Sequence, residues 1–252
     1  MKRLATFLLL VVSFLVRTNP LSAVPAENPF SWPIGTVVLD AGHGGTDPGA
    51  ISEGQATVLE KELTLDLAVR VASMLAREDE LEVVMTRSDD SFVALADRAA
   101  VAAEHDPKVG KGILLVSIHA NSSTFVEPSG FEVLIKHTEK RVRFLENGVK
   151  DWVMLRYANH TMGELNRLLN RENLLLASSL ERSMRDEFPS ARSRGVKEQD
   201  VWVLNASKVP SALVEVGFLS NRDDLVALAD PQWRERMAGA IAAGILGYIN
   251  RD

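Results

Sequence analysis

The sequence has no cysteine, which excludes a disulfide framework, a cysteine-ligated metal and a thiol nucleophile. Histidine is scarce as well. In 252 residues only His43, His105, His119, His137 and His160 are available as imidazole ligands or bases. Positive charge is in the minority, with 28 Lys and Arg against 34 Asp and Glu and a formal net charge of −6. That balance argues against nucleic-acid binding, which depends on clustered cations to neutralise phosphates. No apolar run reaches the roughly 20 residues that a membrane-spanning helix needs. The remaining composition, 46% hydrophobic and 25% charged, is that of a globular protein with enough apolar residues for a core. Any metal held here must be held by histidine and carboxylate.

The first 26 residues separate from the rest. Lys2 and Arg3 precede an apolar run from Leu4 to Val16, and the small residues Ser22, Ala23 and Ala26 follow. This pattern reads as a secretory signal peptide, cleaved after Ala23 or Ala26. Arg17 stops the run too early for a stable membrane span. Cleavage removes Lys2, Arg3 and Arg17 and no acid, so the charge falls by three, from −6 to −9. The protein is therefore expected to be exported, to a periplasm or alternatively to the cell exterior. Residues 27–35 read as a short linker and 36–252 as one domain, within the ordinary size range.

In that domain, the β-rich run Thr36 to Asp40 ends in a glycine-dense loop, Ala41 to Ala50, and a helical pattern runs from about Leu59 to Arg77. A strand (Glu82 to Thr86), a helix (Val93 to Glu104) and an apolar strand (Ile113 to His119) follow. Further strands are predicted at Gly130 to Ile135, Val201 to Leu204 and Ser211 to Val216, with helices at Leu174 to Met184, Asp223 to Ala229 and Gln232 to Ile249. Strands alternating with helices predict an α/β fold: a single domain with a mostly parallel twisted sheet and helices on both faces. The charged residues 138–172 break this rhythm, as extra helices on the rim or as a long loop of the kind that often carries function. Lys136 to Arg143 form a cationic stretch suited to a partner or substrate.

Ligands of open parallel sheets bind beyond the carboxyl ends of the strands, and two histidines fall there. His43 lies in the glycine loop, and His119 ends the apolar strand. Hydrolytic zinc usually takes three protein ligands and keeps an open position, so the third ligand should be a carboxylate. Helical spacing separates the candidates. Glu60 shares the apolar stripe with Leu63, Leu67 and Val71, whereas Glu62 shares the solvent face with Asp66 and Arg70. An acid on the inward stripe is costly unless it has a strong partner, which favours Glu60. Glu215, in an apolar strand, should also lie near a carboxyl end, where a general base is needed. Each residue alone is more often structural than functional, and only the four positions together point to a zinc hydrolase.

These stretches resemble the zinc-dependent N-acetylmuramoyl-L-alanine amidases of amidase family 3. The similarity runs in order through Val38 to Gly45, Asp47 to Ala50, Leu59 to Lys61, Thr86-Arg87, Leu95 to Arg98, Val116 to Asn121, Arg194 to Val196 and Val214 to Asn221. It implies one catalytic zinc ion on His43, Glu60 and His119, with Glu215 as catalytic acid/base and peptidoglycan as the partner. Asp40, Arg98 and Asn121 fall in the matching stretches as candidate supporting residues. Residues 138–172 are loosely similar to the inhibitory region of the cell-division members. That likeness implies a lid, with Glu146 in the open zinc position, which an activator protein would displace. The competing functions are another exported zinc peptidase of carboxypeptidase type and a non-catalytic wall-binding regulator.

Overall fold

The computed structural model describes residues 28–52, 57–146 and 148–251; residues 1–26, expected to be a signal peptide, lie outside them. Among the described residues, six strands form one sheet: β1 (Ile34–Ala41), β2 (Glu82–Met85), β3 (Gly112–Asn121), β4 (Phe131–Lys136), β5 (Ser193–Gln199) and β6 (Ser211–Phe218). Seven helices accompany them: α1 (Glu60–Leu75), α2 (Leu95–Glu104), α3 (Asp151–Tyr157), α4 (Met162–Glu187), α5 (Trp202–Ala206), α6 (Arg222–Ala229) and α7 (Pro231–Ile249). The strand order is β2-β1-β3-β6-β4-β5, and all neighbouring strands are parallel except β4 and β6. The central strands β1, β3, β4 and β6 are almost wholly buried, which explains the apolar runs within β1, β3 and β6.

Strand alternation divides the side chains between two cores. Val37, Leu39, Leu114, Val116, Ile118, Val133 and Val214 pack against α1, α4 and α7. Val38, Ile113, Leu115, Leu134 and Leu213 pack on the opposite face against α2 and α5. These two helices are short. Along β1, β3 and β6 the next residues on their face toward the strand ends are polar: Asp40, then Ser117 and His119, and Glu215. The sheet thus carries an apolar half and a polar half on one face, and the polar half is the site.

Two sequence-based expectations need correction. The strand predicted at Val201 to Leu204 is the short helix α5, and the strand of this region is β5, at Ser193–Gln199. An edge strand with one half-solvated side tolerates the polar sequence Ser-Arg-Gly-Val-Lys-Glu-Gln, which carries no apolar alternation. Of the expected linker 27–35, the described residues 28–35 pack onto the domain: β1 already begins at Ile34, and Phe30 is buried against Phe144 and Tyr157. Of the two alternatives for 138–172, the helical one holds for much of the segment, in α3 and the first turns of α4, which opens with a capping box between Thr161 and Glu164.

Candidate metal centre

His43, Glu60 and His119 converge at the carboxyl ends of β1 and β3, their donor atoms all within 4.8 Å of one another. Glu60 Oε1 lies 3.0 Å from His43 Nε2 and 3.0 Å from His119 Nδ1. Glu60 is the first residue of α1 and is buried, while Glu62 faces solvent. Its carboxylate also accepts the Ala50 N–H at 2.8 Å and the Ala120 N–H at 3.1 Å. Asp47 Oδ2 lies 2.8 Å from His43 Nδ1. An imidazole bonded to a carboxylate through one nitrogen presents the other to a metal, which is the usual arrangement around ligating histidines.

The donor set fits a cation. With Asp47 accepting from Nδ1, the lone pair of His43 Nε2 faces the Glu60 carboxylate, an arrangement that repels unless a proton or a metal lies between. Without a metal, protons fill that role. Burial pulls both imidazoles toward the neutral form, but Glu60 outweighs it and holds their pKa above the usual value. In turn, although burial opposes its charge, His119 and His43 hold Glu60 far below the normal carboxylate range. Two imidazoles and one carboxylate match the donor types that hold hydrolytic zinc.

The loop bearing His43 is wired from below. His43 has a φ of 60°, a left-handed conformation that few residues with side chains adopt. Arg98 donates to the His43 carbonyl at 2.6 Å and to the Ala41 carbonyl at 2.6 Å. Arg87 donates to the carbonyls of Ala41, Gly42 and Lys61, joining the loop to α1. Both guanidiniums are buried. Gly42 is required by close approach: a Cβ there would lie 2.4 Å from Cε1 of His119.

Asp40 anchors this layer. It is fully buried and accepts from Arg98 at 2.7 Å, Thr86 at 2.7 Å and Ser117 at 2.6 Å. Burial alone would raise its pKa, but the Arg98 guanidinium and the two hydroxyls overcome that and hold it below normal.

Glu215 stands opposite His119 in the β3–β6 register. Its Oε2 is buried and has no hydrogen-bond partner among the described residues. Burial is the main cause that pushes its pKa up to about 7, despite the opposing pull of His119. A carboxyl poised near neutrality can both take and give a proton. On its other side Glu215 faces Glu132 of β4. Asn121 donates to Glu132 at 3.1 Å rather than reaching the metal-binding atoms.

Glu146 is not brought to this site. It pairs with Lys208 at 3.1 Å, just ahead of β6. The described residues of 138–172 pack at the amino ends of β1, β3 and β6, away from the histidines. The reason is topological. Because β4 runs antiparallel to β6, its carboxyl end delivers the chain to the far end of the sheet. There Phe144, Val153, Tyr157, Leu165 and Phe30 form a separate apolar cluster. Tyr157 donates to the Lys208 carbonyl, and Arg156 to the Lys111 carbonyl. Lys136, the first residue of the cationic stretch, is buried and donates to the carbonyls of His137 and Lys140.

Asp47, Arg87 and Glu132 were not selected as site residues from the sequence. Asp47 and Arg87 lie in stretches that carried the family likeness, so a signal was present. Glu132, in a strand of apolar alternation, had none beyond being an acid on a buried strand.

Residues 37–247 match the family model described as N-acetylmuramoyl-L-alanine amidase. An uncharacterized protein of Bacillus subtilis, YqiI, is 32% identical over 216 residues, covering 86% of this chain and 85% of that protein. The N-acetylmuramoyl-L-alanine amidase AmiC of Escherichia coli is 30% identical over 225 residues, 84% of this chain but only 52% of AmiC. A crystal structure of an N-acetylmuramoyl-L-alanine amidase from Clostridium difficile 630 superposes with a TM-score of 0.68 at 26% identity, covering 87% of this chain and 99% of that one.

Proposed function

The chain belongs to the N-acetylmuramoyl-L-alanine amidase family, and from that premise we propose that it is an exported, zinc-dependent peptidoglycan hydrolase. The bond cleaved is the amide between the lactyl group of N-acetylmuramic acid and the first L-alanine of the stem peptide. The observation that carries this reading is the convergence of His43, Glu60 and His119 beside the unpartnered carboxyl oxygen of Glu215. Zinc held by the three ligands supplies Lewis acidity to water and to the amide carbonyl.

The chain's own groups do the rest. Glu215 Oε2 accepts the proton of the attacking water, and as the carbonyl carbon to nitrogen bond breaks the same oxygen returns it to the leaving alanine nitrogen. A group with a pKa of about 7 suits both transfers at neutral pH. Asp47 orients His43, and the pair of Asp40 and Arg98 holds the backbone from which His43 projects.

Wall remodelling or daughter-cell separation after export is the biological setting that fits such a hydrolase. Among the described residues no helix is long and apolar enough to cross a membrane. An activator acting on residues 138–172 would have to work from the far end of the sheet. The reading is tested by measuring zinc content alongside the products released from purified peptidoglycan: intact stem peptides and unsubstituted glycan are expected. Shortened peptides still attached to glycan would mean a carboxypeptidase instead.

A further inference from the structure

The wall of the site beyond Glu215 carries two cations that the hydrolytic steps do not use. Glu132 and Glu215 are directly opposed in the β4–β6 register, so their side chains share one face, with Cβ atoms about 5 Å apart. The Glu132 carboxylate takes Arg194 Nε at 2.7 Å and also pairs with Lys197 Nζ. In a regular strand, residues three apart point to opposite faces. Here the β4–β5 register slips between Phe131 and Val133, and Gly195 has a φ of 76°. A bulge of this kind re-aims side chains, and it turns both Arg194 and Lys197 onto Glu132 while Val196 packs into the opposite core.

The charges do not cancel. Two cations meet one buried carboxylate, whose remaining oxygen is occupied by Asn121. The Nη atoms of Arg194 make no hydrogen bond among the described residues, and only its Nε is engaged. The guanidinium is held in place over the Phe218 ring, 5.0 Å from the centroid. Lys197 is 40% exposed. One net positive charge, with spare donors, is therefore carried on β5, two strands from Glu215, and gathered onto the intervening Glu132.

We propose that Arg194 and Lys197 form the subsite for a carboxylate on the peptide half of the substrate. This rests on the amidase reading above. The lactyl carboxyl of the sugar is consumed in the scissile amide, so the anionic groups of such a substrate belong to the peptide. An extended chain advances about 3.3–3.6 Å per residue, which brings a carboxylate on the residue after the alanine to this pair. Guanidinium and ammonium donors bind carboxylate through charge-assisted hydrogen bonds.

The test uses the zinc-loaded full chain and two muramoyl tripeptides that differ only in whether the second residue carries a free carboxylate or its neutral amide. Cleavage efficiency is measured for both, and calorimetry gives the affinity of the two released tripeptides. The acidic form is expected to be favoured about tenfold in both readouts. Lys197→Gln should bring both ratios close to one, and Lys197→Arg should restore them. Cleavage of the two substrates at equal rates by the unaltered protein, or a preference that survives Lys197→Gln, overturns the subsite and leaves the amidase reading intact. Cleavage of neither overturns both.

Discussion

Asp40 and Arg98 form an ion pair with no contact to solvent on the acid and almost none on the base, at 2.7 Å, directly beneath the backbone of His43. A surface pair contributes little, but removing one partner of a buried pair strands a charge. Asp40→Ala and Arg98→Met should each destabilise the fold by about 3–5 kcal/mol, read as a lower urea midpoint in unfolding followed by tryptophan fluorescence. The pH dependence has a defined sign. Because the folded pKa of Asp40 lies below its ordinary value of 3.8, its contribution is complete above that value and is lost as pH falls through the folded pKa. The urea midpoint of the unaltered protein should fall steeply below about pH 4, and a midpoint unchanged down to the folded pKa would contradict the role given to the pair.

Metal removal should reverse the pH preference of the histidine cluster. In the metal-free protein the pKa values of His43 and His119 are raised, so the Glu60 pairing stabilises fully below the ordinary value of 6.5 and is lost as pH rises through the folded pKa. Zinc requires neutral imidazoles. Its affinity should therefore increase with pH, and its binding should release protons, measurable by calorimetry in buffers of different ionisation enthalpy. Chelation should abolish hydrolysis and zinc readdition restore it.

Glu215→Gln preserves shape and places an uncharged group in the buried position. Zinc content should remain at one ion per chain, while turnover falls by about 100-fold or more, the usual contribution of a positioned acid/base. Muropeptide hydrolysis and elemental analysis of the same sample decide it, and near-normal turnover would remove Glu215 from the chemistry.

Glu146 makes a half-exposed pair with Lys208 far from the histidines. Glu146→Ala should leave hydrolysis unchanged and alter stability by less than about 1 kcal/mol. A several-fold rise in activity would show instead that this residue restrains the site.

Much of the site was legible before any tertiary structure was known. The stripe of Leu63, Leu67 and Val71 placed Glu60 inward, and alternation along Ile113 to His119 placed His119 on a definite face at the strand end. Lys197 and Glu132 were not legible, because their meeting depends on a slipped register in an edge strand whose sequence lacks alternation. Asp40 looked like a strand residue, and nothing local announced that Thr86, Ser117 and Arg98, from three separate parts of the chain, would close around it.

By itself the sequence determined the chemical means: no thiols, five histidines, and the periodicities that assign each side chain to one face of a helix or strand. The tertiary structure alone decided direction. Apolar alternation is the same whether a strand pairs parallel or antiparallel, so residues Phe131 to Lys136 read as a strand without revealing that β4 runs against β6. That one reversal carries residues 138–172 to the end of the sheet opposite His43 and His119. It also sets Glu132, with Arg194 and Lys197, beside Glu215. Long-range register arises from packing between segments distant in sequence, and no window of local pattern contains it.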